Sequence, residues 1–301
     1  VEELGSVGVS VRPYAEAEAA VRELVGSGRK LMLDPANVNY AMRRAAGEGA
    51  LERPSPLALP KAKKTAAELG GMAEAHAADG AALATFFAWL EHEVGAGHSF
   101  TEVELADKVA RCRHDAGAFD LSFPSIVGVG ANGAVIHYDC SRAQEPARFD
   151  GSEMMLLDSG GQYPSGTTDV TRTVHLGEPS AWQRECFTRV LKGHIALASL
   201  SFPQGTPGMA IDAFARAALW AAGLDYKHGT GHGVGAALNV HEGPQSISTR
   251  YGNTCALEEG MICSNEPGYY ESGAFGIRIE NLLTITKREP QKNQAPGKDF
   301  L

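Results

Sequence analysis

The sequence predicts an α+β fold, and three observations carry that prediction. Helical patterns are grouped together. Strand patterns come in pairs joined by Gly-, Asn- and Pro-rich turns. The two textures occupy successive stretches of chain instead of alternating as βαβ units.

Residues 1–60 read as a small α/β piece. "AEAEAAVRELV" (15–25) places apolar residues at helical spacing, and "KLMLD" (30–34) is a short strand. "ERPSPLALPKAKK" (52–64) joins three prolines to a basic run, a composition typical of a boundary. "TAAE" (65–68) fits a capping box and opens a long helix to about Val94, whose Phe86, Phe87, Trp89 and Leu90 are expected in the core. Thr101 with Glu104 starts a second helix, which Gly117 ends.

Strand texture follows. "SIVGVGANGAVIHY" (125–138) reads as two strands around "GANG", with Asn132-Gly133 as the hairpin turn. "MMLLDSGGQYPSGTTDVTRTVHL" (154–176) reads as strand, turn-rich loop and strand. Two helices come next, 180–202 and 208–223, each bounded by Gly or Pro. "GMICSNEPGYY" and "FGIRIENLLTITK" then return to strand patterns.

Composition excludes several classes of function. A net charge of −9 repels phosphate backbones and argues against nucleic-acid binding. No run approaches the length of apolar sequence that spans a bilayer. The five cysteines show no CxxC spacing, which fits reduced thiols in a cytoplasmic protein better than a disulfide framework or zinc knuckle. The N-terminus has neither the basic nor the apolar region of a signal peptide. It also lacks an initiator Met, which suggests an internal start within a longer chain.

The chemistry lies in carboxylates set among apolar residues. Asp158 ends "MMLLD", and Asp169 begins "DVTRTVHL" eleven residues later. If the loop between them reverses the chain, the two lie side by side on adjacent antiparallel strands. Glu266 and Glu280, fourteen residues apart, form a second such pair. Each acid alone has an ordinary reading as a turn or loop residue. Together in one apolar region they require compensation, which Arg172 and Arg278 supply only in part. A two-metal centre supplies more, and a histidine from "HGTGHGVGAALNVHEGP" (228–244) completes its ligand set. In that segment His228 and His232 have the i, i+4 spacing of helical zinc sites, but the alternating glycines rule out a helix. HExxH and GxxxxGK are both absent.

"LLDSGGQYPSGTTDVTRT", "HGTGHGVGAALNVHEGP", "NEPGYYESGAFGIRIEN" and "FPSIVGVGANGAVIHY" together resemble the Xaa-Pro aminopeptidases (aminopeptidase P) of the cytosolic eukaryotic type. The resemblance runs from about residue 60 to 285. It implies the pita-bread fold shared with methionine aminopeptidases, prolidases and creatinases, in which helices pack outside a curved, mostly antiparallel sheet. Residues 1–60 are then the C-terminal part of a preceding creatinase-like domain, 61–290 the catalytic domain, and 291–301 the start of a C-terminal dimerisation segment. The full-length protein is expected to be a homodimer, and a chain without that segment a monomer.

The same resemblance makes Asp158, Asp169, His232, Glu266 and Glu280 the ligands of two divalent metal ions. It places His137, His228 and His241 around the substrate, Phe123 and Tyr269 in the substrate pocket, and Arg278 behind the carboxylates as their orienting group. The expected reaction is removal of an N-terminal residue from peptides with proline second, by a metal-bridged hydroxide with Glu266 as general base. An Xaa-Pro bond has no N–H for a protease to grip, and metal-assisted attack needs none. Four carboxylates and one imidazole form a hard donor set, favouring Mn2+, with Co2+ or Zn2+ as substitutes. The second reading is a prolidase-type dipeptidase. A more remote one is a binding protein that reuses the fold.

Overall fold

A computed structural model describes residues 2–289 and 299–301. Most of the expected C-terminal segment, 291–301, lies outside the described residues. The chain divides into two compact units, Val1–Pro60 and Lys61–Leu301.

In the first unit, the helices Ala17–Gly26 and Tyr40–Ala46 accompany a short parallel strand pair, Met32–Leu33 with Leu51–Glu52. Asn39 caps the second helix by accepting from the Met42 N–H.

The second unit opens with two helices, Ala66–Gly95 and Glu102–Asp115. Complete capping boxes fix both starts, Thr65 with Glu68 and Thr101 with Glu104. Leu83, Phe86 and Leu90 of the first helix and Leu105 and Val109 of the second form one core with Val127, Met155 and Leu157 of the sheet. Strand alternation sends Met155 and Leu157 toward the helices and Leu156 and Asp158 to the other face.

The ladders are short, and every ladder in this unit is antiparallel. Ile126–Val129 and Val170–Val174 flank Met155–Ser159. Ile262–Asn265 pairs with Asn281–Thr284, and Gly268–Glu271 pairs with Phe275–Arg278. The latter two ladders keep one common register through Glu266-Pro267, so they are halves of one long hairpin. Proline, which has no N–H, marks the break between them. Hydrogen bonds stitch this hairpin to the Asp158 sheet. Glu280 N–H donates to Thr171 O, and Thr173 Oγ1 both accepts from Arg278 N–H and donates to Arg278 O. On the hairpin's other side, a bridge between Gly233 and Cys263 adds the strand Gly231–His232. The helices Ala181–Ala198 and Asp212–Trp220 pack outside through Cys186, Val190 and Leu219 against Phe275 and Ile277.

The structure corrects one expected element. The segment after Val129 does not turn back as a second strand at Asn132-Gly133. Residues Gly130–Ala134 form a 3-10 turn instead. Asn132 is drawn away by tertiary contacts, its Nδ2 donating to the Glu102 carboxylate at 2.9 Å. Glu102, fully buried, also accepts from Val129 N–H, Ala147 N–H and the Tyr138 hydroxyl. Gly133 meanwhile lies against Gly276, where a Cβ on Gly276 would come within 1.7 Å of Gly133 O. These contacts carry the chain across the hairpin and deliver His137.

Candidate metal centre

The register decides which side chains share the inner face. Asp158 lies opposite Thr171, not opposite Asp169, so the two aspartates are diagonal neighbours on one face. Asn265 pairs with Asn281 at the end of one ladder and Gly268 with Arg278 at the end of the other. That register sets Glu266 directly across from Glu280. Alternation then sends Ser264, Glu266, Gly276, Arg278 and Glu280 inward, while Cys263, Phe275 and Ile277 go to the helix side.

His232 enters from its own short strand. Its N–H donates to Ser264 Oγ at 3.0 Å, and Ser264 Oγ donates to Glu266 Oε1 at 3.0 Å. His232 Nδ1 sits 2.9 Å from Gly233 O, which aims Nε2 at the carboxylates. Nε2 lies 3.4 Å from both Asp169 Oδ2 and Glu266 Oε1. Asp169, His232 and Glu280 offer ligand atoms that all fall within 4.8 Å of one another. Gly231 makes the approach possible, because a Cβ there would stand 1.9 Å from Ser264 O.

Charge at this point is badly compensated by protein alone. Asp158, Asp169 and Glu280 are buried. Arg278 Nη2 donates to Asp158 Oδ2 at 2.6 Å, while Asp158 Oδ1 is buried with no hydrogen-bond partner among the described residues. Burial, followed by neighbouring carboxylates, pushes the Glu280 carboxyl well above the usual range. Asp169 is raised too, chiefly by burial. Glu266 is pushed up to about 7 by burial, against the pull of His232 and Arg278. Burial lowers the basicity of His232, but Asp169 and Glu266 outweigh it and bring its pKa up to about 9. An orphaned carboxylate oxygen on a residue that shares its cavity with three more acids and an imidazole fits divalent cations.

These groups line a cavity of about 660 Å³. Its other walls bring together His137, His228, His241 and Phe123. His241 stacks edge-on against His232 with ring centroids 4.2 Å apart. His228 is engaged at both nitrogens, with Nδ1 2.7 Å from Gly229 O and Nε2 2.8 Å from the Tyr270 hydroxyl. Burial, then the Arg278 charge, lowers its pKa to about 4, so the ring is neutral.

Tyr269 does not line this cavity. It packs with Trp182 and Phe275 on the helix side, and its hydroxyl donates to Glu271. Its neighbour Tyr270 faces the site and accepts from Arg278 Nη1 at 2.7 Å. The correction is one of strand parity. Counting outward from Glu266, residue 270 shares its face and 269 does not. That alternation was legible in "NEPGYYE" once Glu266 was placed inward. Thr171, which donates to Glu280 Oε2 at 2.7 Å, carried no such signal.

Residues 70–287 match metallopeptidase family M24. The chain belongs to this family.

Within the M24 family, the chain is 48% identical to aminopeptidase P2 of Arabidopsis thaliana, with all of the chain and 46% of that relative covered. It is 44% identical to Xaa-Pro aminopeptidase 1 of Dictyostelium discoideum, over 96% of the chain and 46% of the relative. The chain thus spans about half the length of the curated relatives it matches. An X-prolyl aminopeptidase structure from Caenorhabditis elegans, described as a cytosolic enzyme with a di-nuclear active site, superposes with a TM-score of 0.88. Identity to it is 37%, covering 99% of this chain and 49% of that one. An Xaa-Pro dipeptidase from Bacillus anthracis gives a TM-score of 0.75 at 26% identity, covering 90% of this chain and 74% of that one. The α+β, pita-bread architecture expected from the sequence is the fold of these neighbours. No described helix is long and apolar enough to cross a membrane.

Proposed function

We propose that this chain carries the catalytic cleft of an Xaa-Pro aminopeptidase, with Asp158, Asp169, His232, Glu266 and Glu280 holding two divalent ions. The convergence of these five side chains in one cavity, with Asp158 Oδ1 left without a hydrogen-bond partner among the described residues, is the observation that carries the reading. Two such ions would lower the pKa of a shared water and polarise the scissile carbonyl. The donor set is oxygen-rich and hard, which favours Mn2+ over the softer sites typical of zinc.

The chain's own groups do the rest. Glu266, as general base, accepts a proton from the attacking water and returns it to the departing proline nitrogen. His241 has no side-chain hydrogen bond among the described residues, and burial, then His232, lowers its basicity. It is therefore free to bond the substrate. His228 reaches the substrate by exchanging its contact with Tyr270. Phe123, Ile126, Ile136 and Val240 give the cavity apolar walls suited to a pyrrolidine ring. His137 stands among them at the exposed edge.

Residues 61–290 form the catalytic domain in this reading, and 1–60 the end of a preceding one. A cytoplasmic location agrees with the description of the Caenorhabditis elegans enzyme.

The test is metal content and cleavage of Xaa-Pro-Xaa tripeptides by the wild type and Asp169→Asn. Wild type should bind two ions per chain and release the first residue, and the variant should lose both properties. A variant that kept metal and rate would refute the assignment. Cleavage of Xaa-Pro dipeptides alone would favour the dipeptidase reading.

A further inference from the structure

Behind the glycine-rich segment sits a buried cation with no part in the chemistry described so far. Arg216 and Asp212, on the helix Asp212–Trp220, are each only 2% exposed. Every N–H of the Arg216 guanidinium is used. Nε and Nη2 fork onto the two Asp212 oxygens at 2.6 and 3.3 Å. Nη1 donates to Asp225 Oδ1 at 3.0 Å and to Tyr226 O at 2.6 Å. The second Nη2 proton goes to His228 O at 2.8 Å. Asp212 Oδ1 in turn accepts from Thr230 Oγ1 at 2.6 Å, and Thr230 Oγ1 is 2.5 Å from the Tyr226 hydroxyl. The guanidinium also stacks 3.8 Å over the Tyr226 ring, which lies 4.8 Å from the His228 ring.

This pair therefore grips residues 226, 228 and 230 at alternate positions along the chain. His228 lines the cleft, and the Thr230 carbonyl accepts the Glu266 N–H at 2.8 Å. A segment this rich in glycine has little stiffness of its own. Its shape has to be imposed from outside, and only a planar group with five donors satisfies this set of acceptors.

We propose that Arg216 and Asp212 are positioning residues, a clamp that sets the height of His228 over the substrate through the 226–230 backbone. Neither touches the substrate cavity. The proposal rests on the peptidase reading for its kinetic consequence but not for its structural one.

Two measurements separate it from a general stabilising role. The first is a double-mutant cycle on the metal-loaded protein, comparing wild type, Arg216→Lys, His228→Ala and the double variant on an Xaa-Pro-Xaa tripeptide. Misplacing a reacting group by about 1 Å costs on the order of 100-fold. Arg216→Lys should accordingly lose about 10- to 100-fold in kcat/KM with both metals retained, and at most about threefold when His228 is already absent. Equal losses in both backgrounds, or a loss that tracks metal content, would overturn the proposal.

The second measurement needs no activity. Hydrogen exchange should accelerate about tenfold or more in peptides covering 226–232 and the Glu266 amide, with the helix Ala181–Ala198 unchanged. Unchanged exchange in 226–232, or acceleration that includes that helix, would also overturn it. Asp212→Asn, an isosteric change, repeats both measurements if Arg216→Lys fails to fold. A wild type that cleaves no Xaa-Pro peptide would remove the peptidase reading, while hydrogen exchange would still decide on the clamp.

Discussion

Arg278 holds one oxygen of Asp158 at 2.6 Å and leaves the other buried, with no hydrogen-bond partner among the described residues. The same guanidinium donates to the Tyr270 hydroxyl, which contacts His228. A single buried cation thus links a proposed metal ligand to the substrate side of the cleft.

Replacing Arg278 with Met should free both Asp158 oxygens and weaken metal binding. Groups that orient ligands in this way typically contribute about 10- to 100-fold in affinity or activity. Competition titration with a chelator measures the effect. Unchanged affinity would show that Asp158 is oriented by something else.

Tyr270→Phe should keep the metals and lose activity. The variant removes a hydrogen bond to a charged group, worth about 1.5–3 kcal/mol. By the tenfold-per-1.4 kcal/mol rule, a loss of roughly 10- to 100-fold in kcat/KM is expected. Tyr269→Phe keeps its ring in the outer cluster and should leave kcat/KM within about twofold, since the lost hydroxyl bonds Glu271 and lies outside the cavity. Similar losses in the two variants would contradict the parity argument.

Metal removal should change how stability depends on pH. Without metal, the folded-state pKa of Glu266 is raised from 4.5 to about 7, and that of His232 from 6.5 to about 9. A pKa raised by folding means that the native state binds more protons than the unfolded state. The associated stability is complete below the unfolded value and is lost as pH climbs through the folded one. Both shifts act in the same direction. The Tm gap between metal-loaded and metal-free protein should therefore widen between about pH 5 and about pH 9, and metal uptake near neutrality should release protons. A gap that narrowed with pH would count against these raised values.

Gly231→Ala should detach His232. The new Cβ would meet Ser264 O at 1.9 Å, which the backbone cannot accommodate without moving the short strand away from Ser264. Loss of metal with helical content preserved in circular dichroism is the expected outcome. Full metal occupancy would mean that the strand can shift without carrying His232 with it.

The sequence by itself determined whatever depends on near neighbours. Thr65 with Glu68 and Thr101 with Glu104 fix two helix starts, because a capping box closes within four residues. It also marked the two Asp and two Glu as acids stranded among apolar residues. Asn132-Gly133 misled because hairpin propensity is local, while the buried Glu102 competes for the Asn132 side chain from thirty residues away. The aspartates were legible as a pair but not as diagonal neighbours, since a shift in register changes which residues face each other without changing the pattern. Only the tertiary structure decided that the two acid-bearing ladders, the Gly231–His232 strand and the Arg278 guanidinium meet in one cavity. That meeting rests on hydrogen bonds between segments about a hundred residues apart, such as Thr171 to Glu280 and Arg278 to Asp158. No local periodicity records such bonds.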